Sequence, residues 1–238
     1  MASEYLKKKY QDVKPDEKRE LTPSEKRKNW WHYYKWHVAA VIVLVSIIGS
    51  ITWNALHQVK PDYQFAYVGR YALPEGTASA LQTALAALGE DLNGDGSVTV
   101  QLMQYTTPSE TDAQAVMATS VRLMADLSEC ESYFFLLEDP EQFQETYHTL
   151  CKLDGTLPPE EDSSGEGTYL SWADCPVLAG MDLGEYTESL LGETRSGSSN
   201  DVLSKLYIAR RGFWTEKTSK YPDGCAALWA KITEGAVS

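Results

Sequence analysis

Apolar residues follow three rhythms along this chain. Between Lys35 and Lys60 they run almost unbroken, and 24 residues pass without Asp, Glu, Lys or Arg. At ~1.5 Å per residue a helix of that length reaches about 36 Å, enough for a hydrocarbon core of roughly 30 Å. Before this run, Thr22-Pro23-Ser24-Glu25 has the N-cap, first-position Pro and third-position Glu of a capping box. The pattern therefore predicts one helix from Pro23 to about His57.

Beyond the run, the spacing alternates between two and three to four. Residues 63–68 (YQFAYV) and 98–105 (VTVQLMQY) read as strands, and 132–137 (SYFFLL) as a strand covered on both faces. Between them, Leu81, Ala84, Leu85 and Leu88 mark a helix over 74–88 that stops at Gly89. A second helix starts at Ser109 with Asp112 as capping partner; Val116, Val121, Leu123, Met124 and Leu127 are its apolar residues. Asp139-Pro140 caps a third, ending near Cys151. Residues 160–167 and 192–200 read as acidic or Gly/Ser-rich loops. Residues 202–210 read as one more strand, and Asp223-Gly224 opens a last helix through Ile232. This order predicts an α/β fold, a three-layer, mostly parallel sheet behind an N-terminal transmembrane helix. Its expected core is Phe65, Tyr67, Leu85, Val98, Val100, Leu102, Phe134, Leu136, Leu206 and Ile208.

Charge adds an orientation. Residues 1–36 hold ten Lys/Arg and six Asp/Glu, a net of +4, against −13 for the whole chain, so the remainder carries −17. Lys and Arg next to a span stay in the cytoplasm. The expected arrangement is a disordered cytoplasmic tail (1–21), an interfacial and transmembrane helix (22–57) and an extracellular domain (58–238), anchored in the cell membrane by an uncleaved signal anchor. Trp30, Trp31, Tyr33, Tyr34 and Trp36 crowd one end of the span and Trp53 marks the other, as in interfacial aromatic belts. The Lys7-Lys8-Lys9 run reads as solvated tail or as a weak attraction to anionic headgroups. An exported acidic domain speaks against nucleic acid as a partner.

The chemistry is sparse. Asp91, Asn93 and Asp95 alternate before Gly96, with Ser97 next, which matches the first half of a calcium loop. The twelfth position, where a bidentate Glu belongs, is Leu102. Calcium is the one cofactor this pattern raises, and the rival reading is a polar turn whose Asp and Asn bond their own backbone. Four cysteines in an exported domain allow two disulfides; Cys130–Cys151 with Cys175–Cys225 is the favoured pairing, and four free buried thiols the alternative. No C-x₂-C, G-x-S-x-G or P-loop occurs, and His148 is the one histidine well beyond the span. Lys205, Arg210, Arg211, Lys217 and Lys220, with Phe213 and Trp214, form either a contact face or a strand end whose charges pair with nearby acids. A parallel sheet binds ligands beyond the carboxyl ends of its strands. Here that crevice would be lined by Gly69, Arg70, Tyr71, Thr106, Thr107 and Glu138.

The stretches LTPSEKRKNWWHYYKWHV, LGEDLNGDGSVTVQL, RLMADLSECESYFFLLEDPEQF and LYIARRGFW together resemble uncharacterised single-pass membrane proteins of Gram-positive gut Clostridia. The strand–helix order is similar to one lobe of a solute-binding protein of the extended-ligand type. The resemblance implies a single lobe of that fold; a second lobe and a lipoprotein Cys are missing, and no site residue carries over. The expected function is a membrane-anchored extracytoplasmic binding or interaction module without catalysis. Its expected partners are the lipid bilayer and a surface protein, peptide or glycan. An anchored hydrolase acting on wall or glycan is the alternative.

Overall fold

A computed structural model describes residues 22–56, 60–107, 113–159, 164–190 and 193–237. The tail 1–21, the Ser109–Asp112 cap and residues 160–163, the first half of the acidic run 160–167, lie outside the described residues. The chain divides between residues 59 and 60 into two compact units.

The first unit is one helix, α1 (Pro23–Leu56, 34 residues). One half of the predicted capping box forms, the Glu25 side chain reaching back to Thr22. The Thr22 N–H donates to Glu25 Oε2 at 2.9 Å, its hydroxyl donates to the same oxygen at 2.8 Å, and Lys26 N–H donates to the Thr22 carbonyl. The helix is long and apolar enough to cross a membrane, and none of that stretch is buried within the protein. Ser46 and Thr52, two of the three hydroxyls inside the apolar run, donate back to the carbonyls of Ile42 and Ile48.

The second unit is built on a five-stranded sheet. Its strands are β1 (Tyr63–Gly69), β2 (Val100–Thr106), β3 (Phe134–Leu137), β4 (Tyr169–Ser171) and β7 (Tyr207–Arg210), in the order β2-β1-β3-β7-β4. β1 pairs in parallel with β2 (Tyr63↔Val100 to Gly69↔Thr106) and with β3 (Phe65↔Phe134). β7 runs antiparallel to both β3 and β4. The sheet is thus mixed, with β7 the reversed strand. Helices α2 (Glu75–Leu88), α3 (Ala113–Glu129), α4 (Pro140–Tyr147) and α7 (Pro222–Ile232) cover it. A larger core on one face includes Phe65, Leu81, Leu85, Phe134, Trp172 and Trp229, and a smaller one on the other includes Ala66, Tyr105, Leu123, Phe135 and Phe143. Two cores on two faces are what three layers mean physically. Eight of the ten expected core residues are buried, while Val98 and Leu102 are half-buried against the larger core.

Several expectations change. Residues 193–198, read as loop, form β6 (Glu193–Ser198), which pairs with β5 (Glu185–Leu190) in a separate hairpin. β6 is polar on both faces and β5 has only Tyr186 and Leu190 on one, interrupted by Glu188, so neither shows a regular apolar alternation. The run 202–210 is two elements, α6 (Ser199–Leu203) and β7. The third helix ends at Tyr147 rather than Cys151, because His148 turns left-handed (φ 48°, ψ 44°) and caps it. A short segment, β4 followed by a 3-10 turn (Trp172–Asp174) and α5 (Pro176–Ala179), escaped notice, being three to four residues per element. On α3 only Leu123 and Leu127 of the apolar set are buried, whereas Val121 and Met124 are exposed.

Candidate functional site

The strand order places a switch point between β1 and β3. The chain leaves β1 for β2 on one side, then crosses to β3 on the other, so the loops after β1 and β3 part company at their carboxyl ends. Glu138 follows β3 directly. Its Oε2 accepts the Arg70 N–H at 2.9 Å, and the Tyr67 hydroxyl stands 2.7 Å from its Oε1. That same hydroxyl is 2.8 Å from the Tyr71 carbonyl, so its single proton serves either acceptor. Burial, and then the bond and charge of Glu138, push the Tyr67 phenol well above its ordinary range, which keeps it a proton donor at any physiological pH.

The rest of the cluster follows from backbone. Thr107 N–H donates to the Gly69 carbonyl and Leu73 N–H to Gln104 Oε1. The Thr106 carbonyl accepts from Thr119 on α3. Gly69 is required by close approach, since a Cβ there would overlap the Tyr67 ring end and the Glu138 carboxylate. Thus the expected crevice residues Gly69, Arg70, Tyr71, Thr107 and Glu138 are drawn into one network, with Thr106 tied to α3 beside it. Tyr71 is 64% exposed and Glu138 is exposed too. Tyr67 and Gln104 were missed as site residues. Tyr67 was legible as core, and its position two residues before Gly69, on the same strand face, was the available signal.

The candidate calcium loop lies at the opposite end of the sheet. Asp91 accepts Gly94 N–H at 2.6 Å and Gly96 N–H at 2.8 Å. Asn93 Oδ1 accepts Asp95 N–H, and Asp95 Oδ1 accepts both the N–H and the hydroxyl of Ser97. Those Ser97 bonds hold the Asp95 pKa below its ordinary value. Gly94 and Gly96 take positive φ, as the turn demands. Underneath, the buried Asp62 accepts the N–H groups of Leu92, Asn93 and Thr99. Among the described residues no group of three or more His, Cys, Asp or Glu is placed to hold a metal ion. The oxygens of this loop converge on its own amides rather than on a common centre.

All four cysteines are buried free thiols, so neither expected disulfide is made in this structure. Burial raises Cys175 to about 11 and Cys225 to about 12, and raises Cys151 as well. Protonated thiols of this kind are poor nucleophiles. The basic cluster divides: Lys205, Lys217 and Lys220 are exposed, whereas the two arginines turn inward. Arg210 donates to the Leu153 carbonyl at 2.8 Å and lies over Trp229; Arg211 is buried, donates to the Leu127 carbonyl and stands beside Phe213. Among the described residues neither arginine pairs with an acid, and of the cluster Lys217 alone does, with Glu129 at 2.8 Å. A second buried carboxylate, Asp126, accepts the Tyr105 hydroxyl at 2.6 Å and both the N–H and hydroxyl of Ser132. Comparison of the chain with protein-family models, curated proteins and solved structures finds no match.

Proposed function

We propose that this chain is a single-pass protein of the cell membrane, N-terminus inside, whose outer unit is a binding or interaction module without catalysis, a reduced solute-binding-protein lobe. The arrangement of charge supports the orientation, with Lys26, Arg27, Lys28 and Lys35 on one side of the uncharged run and a strongly acidic region on the other. The observation that carries the module reading is the network at the β1/β3 switch point. Glu138 is oriented by Tyr67 and Arg70 yet open to solvent, and the exposed Tyr71 ring stands in the same loop. An oriented carboxylate beside an open aromatic suits a peptide, a glycan or another surface protein.

Protease added to protoplasts should digest residues 60–238 and spare the tail; protection of the outer unit would overturn the orientation. For the module, the full chain is purified from its own membrane as wild type and as Tyr71→Ala and Glu138→Lys. The expected result is a stoichiometric partner held by wild type and lost by both variants, with their melting unchanged. Turnover of purified wall fragments that Glu138→Gln abolishes would instead establish an anchored hydrolase.

A further inference from the structure

Helix α1 is longer than a bilayer needs. Its 34 residues extend about 51 Å, against roughly 30 Å of hydrocarbon and about 40–45 Å with headgroups. The uncharged residues 36–56 fill the hydrocarbon by themselves. Residues 23–35, about 20 Å of helix, continue without a break beyond it. The aromatic residues Trp30, Trp31, Tyr33, Tyr34 and Trp36 occupy about 9 Å of that length, and all are exposed. At 3.6 residues per turn they surround the helix rather than marking one side. Trp30 stacks on Tyr34 with ring centroids 5.6 Å apart, and Tyr34 leans on His37 at 5.8 Å. A collar of this depth fits the headgroup layer.

The charges fit the same layer. Lys28 and Lys35 are one heptad apart, so they share a face to within about 20° and flank the collar. Lys26 and Arg27 directly precede Lys28. Glu25 is the one acid among residues 22–56, and its Oε2 is held by Thr22. Of these four cations Lys26 lies in the first turn, where the macrodipole disfavours positive charge, and Arg27 and Lys28 follow in the second. An external anion within a Debye length of ~8–10 Å would offset this local concentration of like charge. The capping box keeps these turns helical, so the cations are presented at fixed heights.

We propose that residues 26–35 form a basic–aromatic collar that selects anionic phospholipid headgroups around the span. This rests on the membrane-spanning reading of α1. The phosphates are met by Lys28 and Lys35 on one face and by Lys26 and Arg27 around the next turn, while the rings fix the depth. The full chain is reconstituted in equimolar phosphatidylcholine and phosphatidylglycerol, with a trace of one spin-labelled lipid or the other. A severalfold larger immobilised fraction of labelled phosphatidylglycerol is expected. The ratio should fall towards one in high salt and in the quadruple variant Lys26→Gln, Arg27→Gln, Lys28→Gln, Lys35→Gln. Equal immobilisation of both lipids by wild type overturns the proposal, as does a preference that survives the quadruple variant. Cross-linking of wild type into a dimer through this segment, with no lipid preference, would overturn it in favour of a second copy. Alkaline carbonate extraction separates the two layers of the argument. Release of the protein into the supernatant sinks the spanning reading, whereas retention without lipid preference sinks only the collar.

Discussion

The two ends of the sheet use one device in two environments. At the amino end, Asp62 and Asp126 are 4% and 2% exposed, and each gathers hydrogen bonds from segments distant in sequence. Asp62 ties β1 to the 91–99 turn, and Asp126 ties α3 to β2 and to the start of β3. At the carboxyl end Glu138 also gathers two donors, but from an exposed position. A carboxylate withdrawn from water must be satisfied by protein, and its loss strands the donors it held. An exposed carboxylate keeps water as a substitute, so its bonds orient it without holding the fold together. Exposure, then, separates a structural acid from one open to a ligand, although their hydrogen bonds look alike.

The sharpest way to break this contrast is Asp126→Ala. It strands the Tyr105 hydroxyl and the Ser132 amide in the interior, and should cost about 3–4 kcal/mol in urea unfolding of the full chain in detergent. Leu136→Ala, a fully buried β3 residue, is the apolar yardstick at about 2–5 kcal/mol. An Asp126→Ala loss below ~1 kcal/mol would show that the buried network is not structural. Asp62→Ala should follow at about 2–3 kcal/mol, since three amides lose their acceptor next to solvent.

Alkaline pH sharpens the comparison through the donors. Burial first, and then their acid partners, raise Tyr67 and Tyr105 above the ordinary value of 10. A raised folded value means the unfolded chain gives up these protons first. The stabilisation is therefore complete below pH 10 and is lost as pH rises above it, by up to ~1.4 kcal/mol per pH unit and tyrosine. Tyr105→Phe and Tyr67→Phe should each flatten the decline of stability with pH; an unchanged slope in both would count against the two pairings. Glu138→Gln comes below these in effect. It should change stability by less than about 1 kcal/mol, because the group is exposed, while altering whatever the switch point binds. A loss as large as that of Asp126→Ala would erase the distinction between the two ends.

Much of the fold was readable from the sequence, and for physical reasons. The α1 span, its Thr22 cap, β1, α2, β2, β3 and the Asp139 cap of α4 all rest on local periodicity or on a capping side chain within three residues. The β5–β6 hairpin was not readable, because its strands bury no regular apolar face. The reversal of β7 was not readable either, because strand direction within a sheet is settled by long-range packing of Leu136 against Ile208 rather than by anything in residues 207–210. At the candidate site the loop residues followed from the rule that ligands meet parallel sheets at strand carboxyl ends. Tyr67 and Gln104 did not, because their roles depend on contacts across 71 and 31 residues. Asp62 and Asp126 look like ordinary surface acids until burial is known.

Calcium should have the smallest effect. Hard Ca²⁺ asks for about 6–8 oxygens around one point, at least some of them carboxylate. In the 91–97 turn both Asp91 oxygens face amides, Asn93 Oδ1 faces the Asp95 amide, and Asp95 Oδ1 takes two bonds from Ser97. Leu102, at the position where a bidentate acid belongs, lies in β2. Asp62, the buried acid beneath the turn, already serves three amides at its base, and Glu90, next to Asp91 in the chain, is paired with Lys231. The turn is complete as a self-bonded unit, and a cation would have to draw its carboxylates away from those N–H groups. Thermal melting of the full chain in detergent should therefore give superimposable curves in calcium and in chelator. An ion that bound only the folded state at about a hundredfold excess over its Kd would add ~2.7 kcal/mol and raise the melting temperature visibly. A calcium-dependent rise that Asp95→Ala removes would establish an ion site here, and would show that an exposed acid at the amino end is as free to take a ligand as Glu138 at the other.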